Sequence, residues 1–197
     1  MKLFQNIFGK DSGIDIGAPV AGTLISITEV NDPAFSGEIL GKGVAVVPSG
    51  TQICSPVDGT VSTVFPTGHA AAVTSKEGVE VLIHVGLDTV KLDGKHFTIH
   101  ASEGQEVKKG DLLLEADMEQ IKAEGYDITT PIVICNSDEF SEFHMAEPGA
   151  VSQGDNILKC RQTCPSVRQG TVCDKGVYLQ DIKRRIWDGE IYREKCT

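Results

Sequence analysis

Short apolar segments, separated at regular intervals by Gly, Pro, Asn and Asp, recur from residue 14 to residue 162. Even spacing of short apolar runs between turn residues is typical of β-sandwiches and β-barrels. The clearest runs are VAVV at 44–47, GTVSTVF at 59–65, VEVLIHV at 79–85, DLLLEA at 111–116 and TPIVIC at 130–135. We therefore predict an all-β fold, an antiparallel β-sandwich or barrel with Gly-rich turns.

Two further segments are predicted to be short helices at the periphery of this sheet structure. The first is MEQIKAEG at 118–125, and the second is DEFSEFH at 138–144. Ser137 directly precedes the second segment, where its side-chain oxygen can accept a hydrogen bond from the first helical turn as an N-cap.

A weak internal repeat is visible in the turn sequences. The segment APVAGT at 18–23 is similar to SPVDGT at 55–60, and VKKGD at 107–111 is similar to VSQGD at 151–155. In each case a turn containing Gly leads into an apolar strand. Two such pairs indicate that the fold is built from two related halves. Because Gly and Asp are common in all turns, chance similarity is the alternative interpretation.

The charge of the chain divides it into parts. Acidic residues outnumber basic residues by 28 to 18 and give a net charge of −10, which excludes nucleic acid as a general partner and favours a basic one. Residues 163–197 hold seven basic and five acidic residues, which leaves 11 basic and 23 acidic residues to 1–162. We predict a domain at 14–162, a flexible segment at 1–13 and a separate extension at 163–197.

The two terminal parts carry apolar residues at helical spacing. In segment 1–13, Leu3 is followed by Ile7 and Phe4 by Phe8, so the segment is either an amphipathic helix that touches a membrane surface or a frayed or packed terminus. In the extension, Ile182 and Ile186 suggest a basic amphipathic helix that docks a partner or a membrane, or has no role.

The N-terminus has no apolar stretch of signal-peptide length, and no apolar run in the sequence reaches the roughly 20 residues of a membrane span. We expect a cytoplasmic protein with reduced thiols and at most peripheral membrane contact.

Two histidines are candidates for chemistry. Alternation in VEVLIHV places Val81 and Ile83 on one face and His84 on the other, so His84 is predicted to point away from the core. His69 follows a turn, just before the apolar run that begins at residue 70. If these two strands are neighbours, the imidazoles meet, and one can accept a phosphoryl group while the other binds its oxygens. Two histidines on strands are also common as structural or surface residues.

The surrounding segments carry a resemblance over residues 17–162. They are APVAGTLISITEVNDPAFS at 18–36, GKGVAVVPSG at 41–50, SPVDGTVSTVFPTGHA at 55–70 and VEVLIHVGLDTVKLDG at 79–94. In order and spacing, this part of the chain resembles the glucose-family enzyme IIA component of the bacterial phosphoenolpyruvate-dependent sugar phosphotransferase system.

The resemblance implies specific roles and partners. His84 is implied as the phosphohistidine intermediate through Nε2, His69 as the residue that stabilises the phosphoryl group, and Thr67 as the residue that orients His69. The implied donor is the phosphocarrier protein HPr, and the implied acceptor is a cysteine on the IIB domain of a glucose-type sugar permease. Regulated permeases and kinases are further partners of some relatives. The implied partner-binding residues are Asp32, Phe35, Leu40, Phe65, Leu82, Asp88 and Val90, where the two aspartates meet a basic residue and the others form an apolar rim.

Two positions depart from the family pattern. Leu82 stands where an aromatic residue often precedes the reactive histidine by two, so the rim is expected to be less bulky. Gly37, followed by Glu38, occupies a position that is usually acidic, which affects one partner contact and leaves the histidines untouched.

Other interpretations have less support in the sequence. Glu115 to Met118 lack the lysine of a biotin- or lipoyl-carrying turn, and no His-x-His pair of a zinc peptidase is present. His96 and His100 can bind a metal together only if their segment is helical, and His69 and His84 can hold zinc only with a carboxylate from a partner. We therefore expect no metal and no cofactor. The alternative to a phosphoryl relay is a non-catalytic β-sandwich that binds or regulates a partner.

Overall fold

The computed structural model describes residues 13–162. The predicted segment 1–13, except for its last residue, and the predicted extension at 163–197 lie outside these residues. The strands of the described part are β1 (Ile14–Gly17), β2 (Gly22–Ser26), β3 (Lys42–Pro48), β4 (Gln52–Cys54), β5 (Gly59–Val64), β6 (Ala70–Ser75), β7 (Glu80–His84), β8 (Phe97–Ile99), β9 (Glu106–Val107), β10 (Leu112–Ala116), β11 (Thr130–Ile134), β12 (Phe140–Met145), β13 (Gly149–Val151) and β14 (Asn156–Gln162). The helices are α1 (Pro33–Ser36) and α2 (Met118–Ala123), with 3-10 turns at Ile27–Glu29, Thr89–Leu92 and Ser137–Glu139.

The strands form one large sheet and two small ones. The large sheet has the order β13-β2-β3-β11-β7-β6-β5-β9, and the small sheets have the orders β1-β14-β12 and β4-β10-β8. Neighbouring strands pair in antiparallel fashion, as in β6 with β7 and β11 with β7. The all-β prediction is therefore confirmed. No helix in the described part of the chain has the length and hydropathy that crossing a membrane requires.

The large sheet is covered on both faces near its centre. Val81, Ile83 and Val85 pack into the main core, which draws side chains from all three sheets. Leu82 points to the opposite face and packs into a second buried cluster with α1 and the 3-10 turn at Ile27–Glu29. The predicted alternation is therefore correct, but the prediction that His84 points away from the core needs correction. The His84 side chain points away from the main core, but it lies in this second buried layer and is 0% exposed.

The predicted helix at 118–125 is confirmed as α2, whereas the predicted helix at 138–144 is wrong. That segment forms a 3-10 turn at Ser137–Glu139 followed by strand β12, which pairs with β14. The backbone of this segment therefore finds its hydrogen-bond partners in a neighbouring strand rather than within a helix. Ser137 is also not the N-cap, because that position belongs to Asn136.

The two repeats have the same local structure. Ser55 N donates to Asp111 O at 2.8 Å and Gly110 N to Ser55 O at 2.8 Å, which ties segment 55–60 to segment 107–111. In the same way, Ala18 N donates to Asp155 O at 2.8 Å and Gly154 N to Ala18 O at 2.9 Å. Strand β9 then pairs with β5, and β13 pairs with β2. The two pairs of turn segments therefore share their hydrogen bonds and strand pairing, which agrees with the interpretation as two related halves.

Candidate functional site

Strands β6 and β7 bring the two candidate histidines together. Ala70 on β6 is opposite His84 on β7, so His69 lies next to the end of β7. The backbone continues this pairing, because Val85 N donates to His69 O at 2.7 Å. The two imidazole rings lie 5.0 Å apart between centroids at an interplanar angle of 73°. The condition that the two strands be neighbours is therefore met.

The ring of His84 is oriented by the backbone that follows it. His84 Nδ1 lies 2.8 Å from the carbonyl oxygen of Gly86. A carbonyl oxygen only accepts, so Nδ1 carries the proton, and in a neutral ring Nε2 then carries the lone pair. This Nε2 atom is buried and has no hydrogen-bond partner within residues 13–162. The nitrogen without a partner in the described residues is therefore the one that carries the lone pair.

The ring of His69 is oriented by Thr67, whose Oγ1 lies 2.6 Å from His69 Nδ1. Both residues belong to a tight turn in which Gly68 N donates to Phe65 O at 2.7 Å. Gly68 has a φ of +68°, and a Cβ there would lie 2.7 Å from the Cβ of Phe97, so glycine is required. His69 Nε2 is likewise buried and unpartnered in the described part of the chain. Each ring is thus fixed through Nδ1 and leaves Nε2 available.

Burial keeps both imidazoles neutral. Burial, reinforced by the neighbouring His84 ring, lowers the pKa of His69 from 6.5 to about 3. Burial also lowers the pKa of His84, although the hydrogen bond to Gly86 and the carboxylates of Asp32 and Asp88 act in the opposite direction. At neutral pH both rings are therefore uncharged, which is the state in which an imidazole nitrogen is a nucleophile.

The lowered histidine pKa values predict that stability falls as the pH is lowered. Below the unfolded-state pKa of 6.5 the unfolded chain binds protons that the buried imidazoles exclude, down to about pH 3 for His69. The free energy of unfolding should therefore fall by about 1.4 kcal/mol per pH unit for His69 below pH ~6, and the lowered pKa of His84 contributes in the same direction. Urea unfolding of the native chain and of His69→Gln between pH 7 and pH 5 measures this slope. The variant should lose stability less steeply, and equal slopes in the two proteins would contradict the prediction.

Most residues of the predicted apolar rim lie beneath the surface, around the two rings. The Phe35 ring lies 5.2 Å from that of His84, and the Phe65 ring lies 5.1 Å from that of His69. Leu40 and Leu82 are buried in the same second cluster, whereas Val90 is partly exposed. The histidines therefore sit among apolar groups that exclude water.

The two predicted aspartates differ in their placement. Asp32 is buried and caps α1, since its Oδ1 accepts from Ala34 N at 2.9 Å. Asp88 has a φ of +61° and pairs through Oδ2 with Lys91 Nζ at 2.9 Å, while its Oδ1 is buried without a hydrogen-bond partner in the described residues. Asp88 is thus the more accessible of the two, and Asp32 acts on the helix that carries Phe35.

Of the three remaining histidines, two lie next to carboxylates and the third, His144, is exposed. His100 Nε2 lies 3.0 Å from Glu115 Oε2, and His96 Nε2 lies 3.4 Å from Glu124 Oε1. His96 lies in a loop and His100 follows β8, so the helical spacing that a shared metal requires is not formed. Among residues 13–162 no three His, Cys, Asp or Glu side chains come together as potential metal ligands.

Sequence reasoning assigned no role to Thr89 and Ile39. Thr89 is buried and donates through Oγ1 to Val85 O at 2.5 Å, next to the turn that orients His84. Ile39 is 50% exposed just after α1, which makes it a large apolar side chain at the surface close to Phe35 in the chain. Thr89 lies four residues after Val85 in GLDTV, but that spacing alone does not reveal a hydrogen bond to a main-chain carbonyl.

Comparisons with known proteins converge on one family. Residues 14–140 match the family model described as phosphoenolpyruvate-dependent sugar phosphotransferase system, EIIA 1. The PTS system glucose-specific EIIA component of Haemophilus influenzae is 42% identical over 162 residues, which cover 80% of this chain and 97% of that protein. The solved glucose permease IIA of Mycoplasma capricolum is 35% identical, with a TM-score of 0.71, and the match covers 81% of this chain and 99% of that one.

Some relatives are much longer. The PTS system beta-glucoside-specific EIIBCA component of Halalkalibacterium halodurans is 44% identical over 145 residues, which cover 74% of this chain but only 23% of that protein. The chain therefore spans about a quarter of the length of this relative.

Proposed function

The chain belongs to the EIIA 1 family of the phosphoenolpyruvate-dependent sugar phosphotransferase system, and from this premise we propose that it relays a phosphoryl group through His84. The group comes from the phosphocarrier protein HPr and passes to a cysteine on the IIB domain of a sugar permease. One observation carries the proposal: two neutral imidazoles lie side by side, each fixed through Nδ1 and each with a buried Nε2 that has no hydrogen-bond partner among residues 13–162. A purely structural histidine pair would be expected to use these nitrogens in hydrogen bonds.

The two transfers are simple displacements at phosphorus. In the first, the lone pair of His84 Nε2 forms a bond to phosphorus while the bond to the histidine nitrogen of HPr breaks and leaves its electron pair on that nitrogen. In the second, a cysteine thiolate of the IIB domain forms the bond to phosphorus and the electron pair returns to His84 Nε2. The hydrogen bond from Nδ1 to Gly86 O persists throughout, so the protein supplies positioning rather than a change of protonation.

His69 is suited to binding the oxygens of the transferred group. If the Thr67 hydroxyl donates to Nδ1, the proton of the neutral His69 ring resides on Nε2, in a ring whose centroid lies 5.0 Å from that of His84. That N–H can then donate to a phosphoryl oxygen on His84. A fixed donor in a water-excluded pocket stabilises developing charge far better than the same donor in water.

The surroundings fit protein partners that approach this cluster. Both Nε2 atoms are buried, and the rings of Phe35 and Phe65 lie beside His84 and His69, so a partner must move side chains of this cluster to reach the nitrogens. The excess of acidic residues in 1–162 favours a carrier with a basic surface and raises its rate of association. A IIB domain as the second partner is supported by the relatives named EIIBCA and EIICBA, in which the A component is part of the same chain as the others.

Phosphorylation by the purified upstream proteins tests the proposal directly. The chain is incubated with phosphoenolpyruvate, enzyme I and HPr, and its intact mass is measured. We expect the gain of one phosphoryl group that is lost in acid and retained in base, as for a phosphoramidate, and no gain when HPr is left out. If the complete mixture leaves the native chain unlabelled, the relay is wrong and the alternative of a non-catalytic binding module remains.

A further inference from the structure

The orientation of His84 depends on a carbonyl group that lies in a turn. The acceptor of His84 Nδ1 is the Gly86 carbonyl, which follows the end of β7. Gly86 has a φ of +74° and Asp88 a φ of +61°, so this segment turns sharply and leaves the sheet. A peptide group in a turn can rotate unless its neighbours fix its plane. The groups that bind the peptides on both sides of Gly86 therefore decide where the imidazole points.

The peptide group before Gly86 is held by a side chain. Val85 N donates to His69 O at 2.7 Å, which fixes the start of the turn against the other histidine. The carbonyl of Val85, which forms the peptide bond to Gly86, accepts from Thr89 Oγ1 at 2.5 Å. Thr89 is 0% exposed, so no water can replace its hydroxyl without a rearrangement. The Thr89 hydroxyl thus closes the turn across four residues.

The peptide group after Gly86 is held by the backbone. Leu87 N belongs to the same peptide group as the Gly86 carbonyl, and it donates to Asp127 O at 2.8 Å. A Cβ on Gly86 would lie 2.6 Å from Thr89 Cγ2 and 2.8 Å from Asp127 O. Thr89 and Asp127 therefore enclose Gly86 closely, and only glycine fits between them.

We propose that Thr89 is a positioning residue for phosphoryl transfer. Its hydroxyl holds the turn in which the Gly86 carbonyl accepts the proton of His84 Nδ1, and it thereby keeps Nε2 as the unprotonated, reactive nitrogen. Without this hydroxyl the buried Val85 carbonyl lacks its partner, and its peptide rotates to find another one. The Gly86 carbonyl then moves, and His84 gains access to the tautomer whose proton is on Nε2. The inference rests on the proposed transfer to His84.

Two substitutions at Thr89 separate the hydroxyl from the methyl group. Thr89→Val removes the hydroxyl and keeps the branched shape, whereas Thr89→Ser keeps the hydroxyl. The first readout is the 15N NMR spectrum of the His84 imidazole at pH 7, which shows which nitrogen carries the proton. The second is the initial rate of phosphorylation by HPr. We expect native spectra and rates for Thr89→Ser, but for Thr89→Val a mixture of tautomers and a rate lower by about 10- to 100-fold, the size of effect known for groups that orient metal-binding histidines.

Ser55→Ala is the control. Ser55 is also buried, and its Oγ donates to Val57 O at 2.7 Å, so this change removes the same kind of bond. Ser55 lies before β5, toward the end of the β5–β6 pair where Gly59 is opposite Ser75, whereas His69 lies toward the other end. The substitution should leave the His84 spectrum and the rate unchanged.

Several outcomes would overturn the role of Thr89. Native tautomer signals and a native rate in Thr89→Val would show that the hydroxyl does not position His84. Loss of the Nδ1–H signal in Thr89→Ser would show that packing of the methyl group is responsible instead. A native chain that HPr does not label contradicts the relay itself, while the spectra still report on the tautomer.

Discussion

His84→Gln is expected to abolish acceptance of the phosphoryl group, with a labelling rate lower by at least about a thousandfold, as when a covalent nucleophile is removed. The amide of glutamine has no nucleophilic ring nitrogen, yet it can still donate a hydrogen bond to the Gly86 carbonyl that His84 contacts in the native chain. The loss is therefore expected without collapse of the turn. Initial rates of the mass increase with phosphoenolpyruvate, enzyme I and HPr measure the effect.

The control for this experiment is a histidine outside the cluster. His144 is exposed on β12, so His144→Gln should be labelled at the native rate. Thermal unfolding of both variants shows that they are folded. If His84→Gln is labelled at the native rate, the phosphoryl group is carried elsewhere. If His69→Gln is then unlabelled, the roles of the two histidines are exchanged.

The pairing of the histidines could be predicted in part from the sequence. Strict alternation in VEVLIHV separates His84 from Val81 and Ile83, and the structure preserves that separation because successive side chains of a strand point to opposite faces. The sequence did not show that the two histidines are in contact. It predicted contact only if the two strands that carry them are neighbours. The resemblance to a family, not the spacing, assigned the nucleophile, since two histidines on strands are chemically equivalent until their hydrogen-bond partners are known.

The burial of His84 could not be predicted from alternation. A strand that alternates apolar and polar residues is expected to have one solvated face. In this protein α1 and the 3-10 turn at Ile27–Glu29 cover that face, and these elements lie about fifty residues earlier in the chain. Tertiary packing of this kind leaves no periodic signal in the covered strand. Phe35 belongs to α1, so the helix that buries His84 also places an aromatic ring next to it.

For the segment that forms strand β12, the sequence predicted the wrong type of secondary structure. DEFSEFH has the length and polarity of a short surface helix, and Ser137 directly before it offers an N-cap. Its pairing with β14 contains a register shift between Ser141 and His144, so even the strand pattern is interrupted. Glu142 has a φ of +51° in this bulge. Whether such a segment forms a helix or a strand depends on the free energy of its pairing with a distant strand. The seven residues of the segment do not contain that information.

His69→Ala is expected to leave acceptance by His84 nearly intact but to slow the onward transfer to the IIB domain by about 100- to 1,000-fold, the effect of removing one fixed donor from a developing anion. The two steps differ in charge. HPr delivers the group from a neutral imidazole, whereas an anionic thiolate must approach the negatively charged phosphoryl group on His84, so the second step depends more on a donor that binds the phosphoryl oxygens. The His69 ring, 5.0 Å from that of His84, is placed to provide that donor.

Separate measurement of the two steps checks this division of roles. Native and His69→Ala chains are first labelled to completion and freed of HPr, and each is then mixed rapidly with the purified IIB domain while loss of the phosphoryl group is followed. Thr67→Val is the matched comparison, because it removes only the hydroxyl next to His69 Nδ1 and should slow the second step less than removal of the whole ring. Equal transfer rates in the native chain and in His69→Ala would remove His69 from the chemistry. If His69→Ala also fails to accept the phosphoryl group from HPr, both transfers need the His69 N–H. The negative charge of the thiolate would then not explain why His69 is needed.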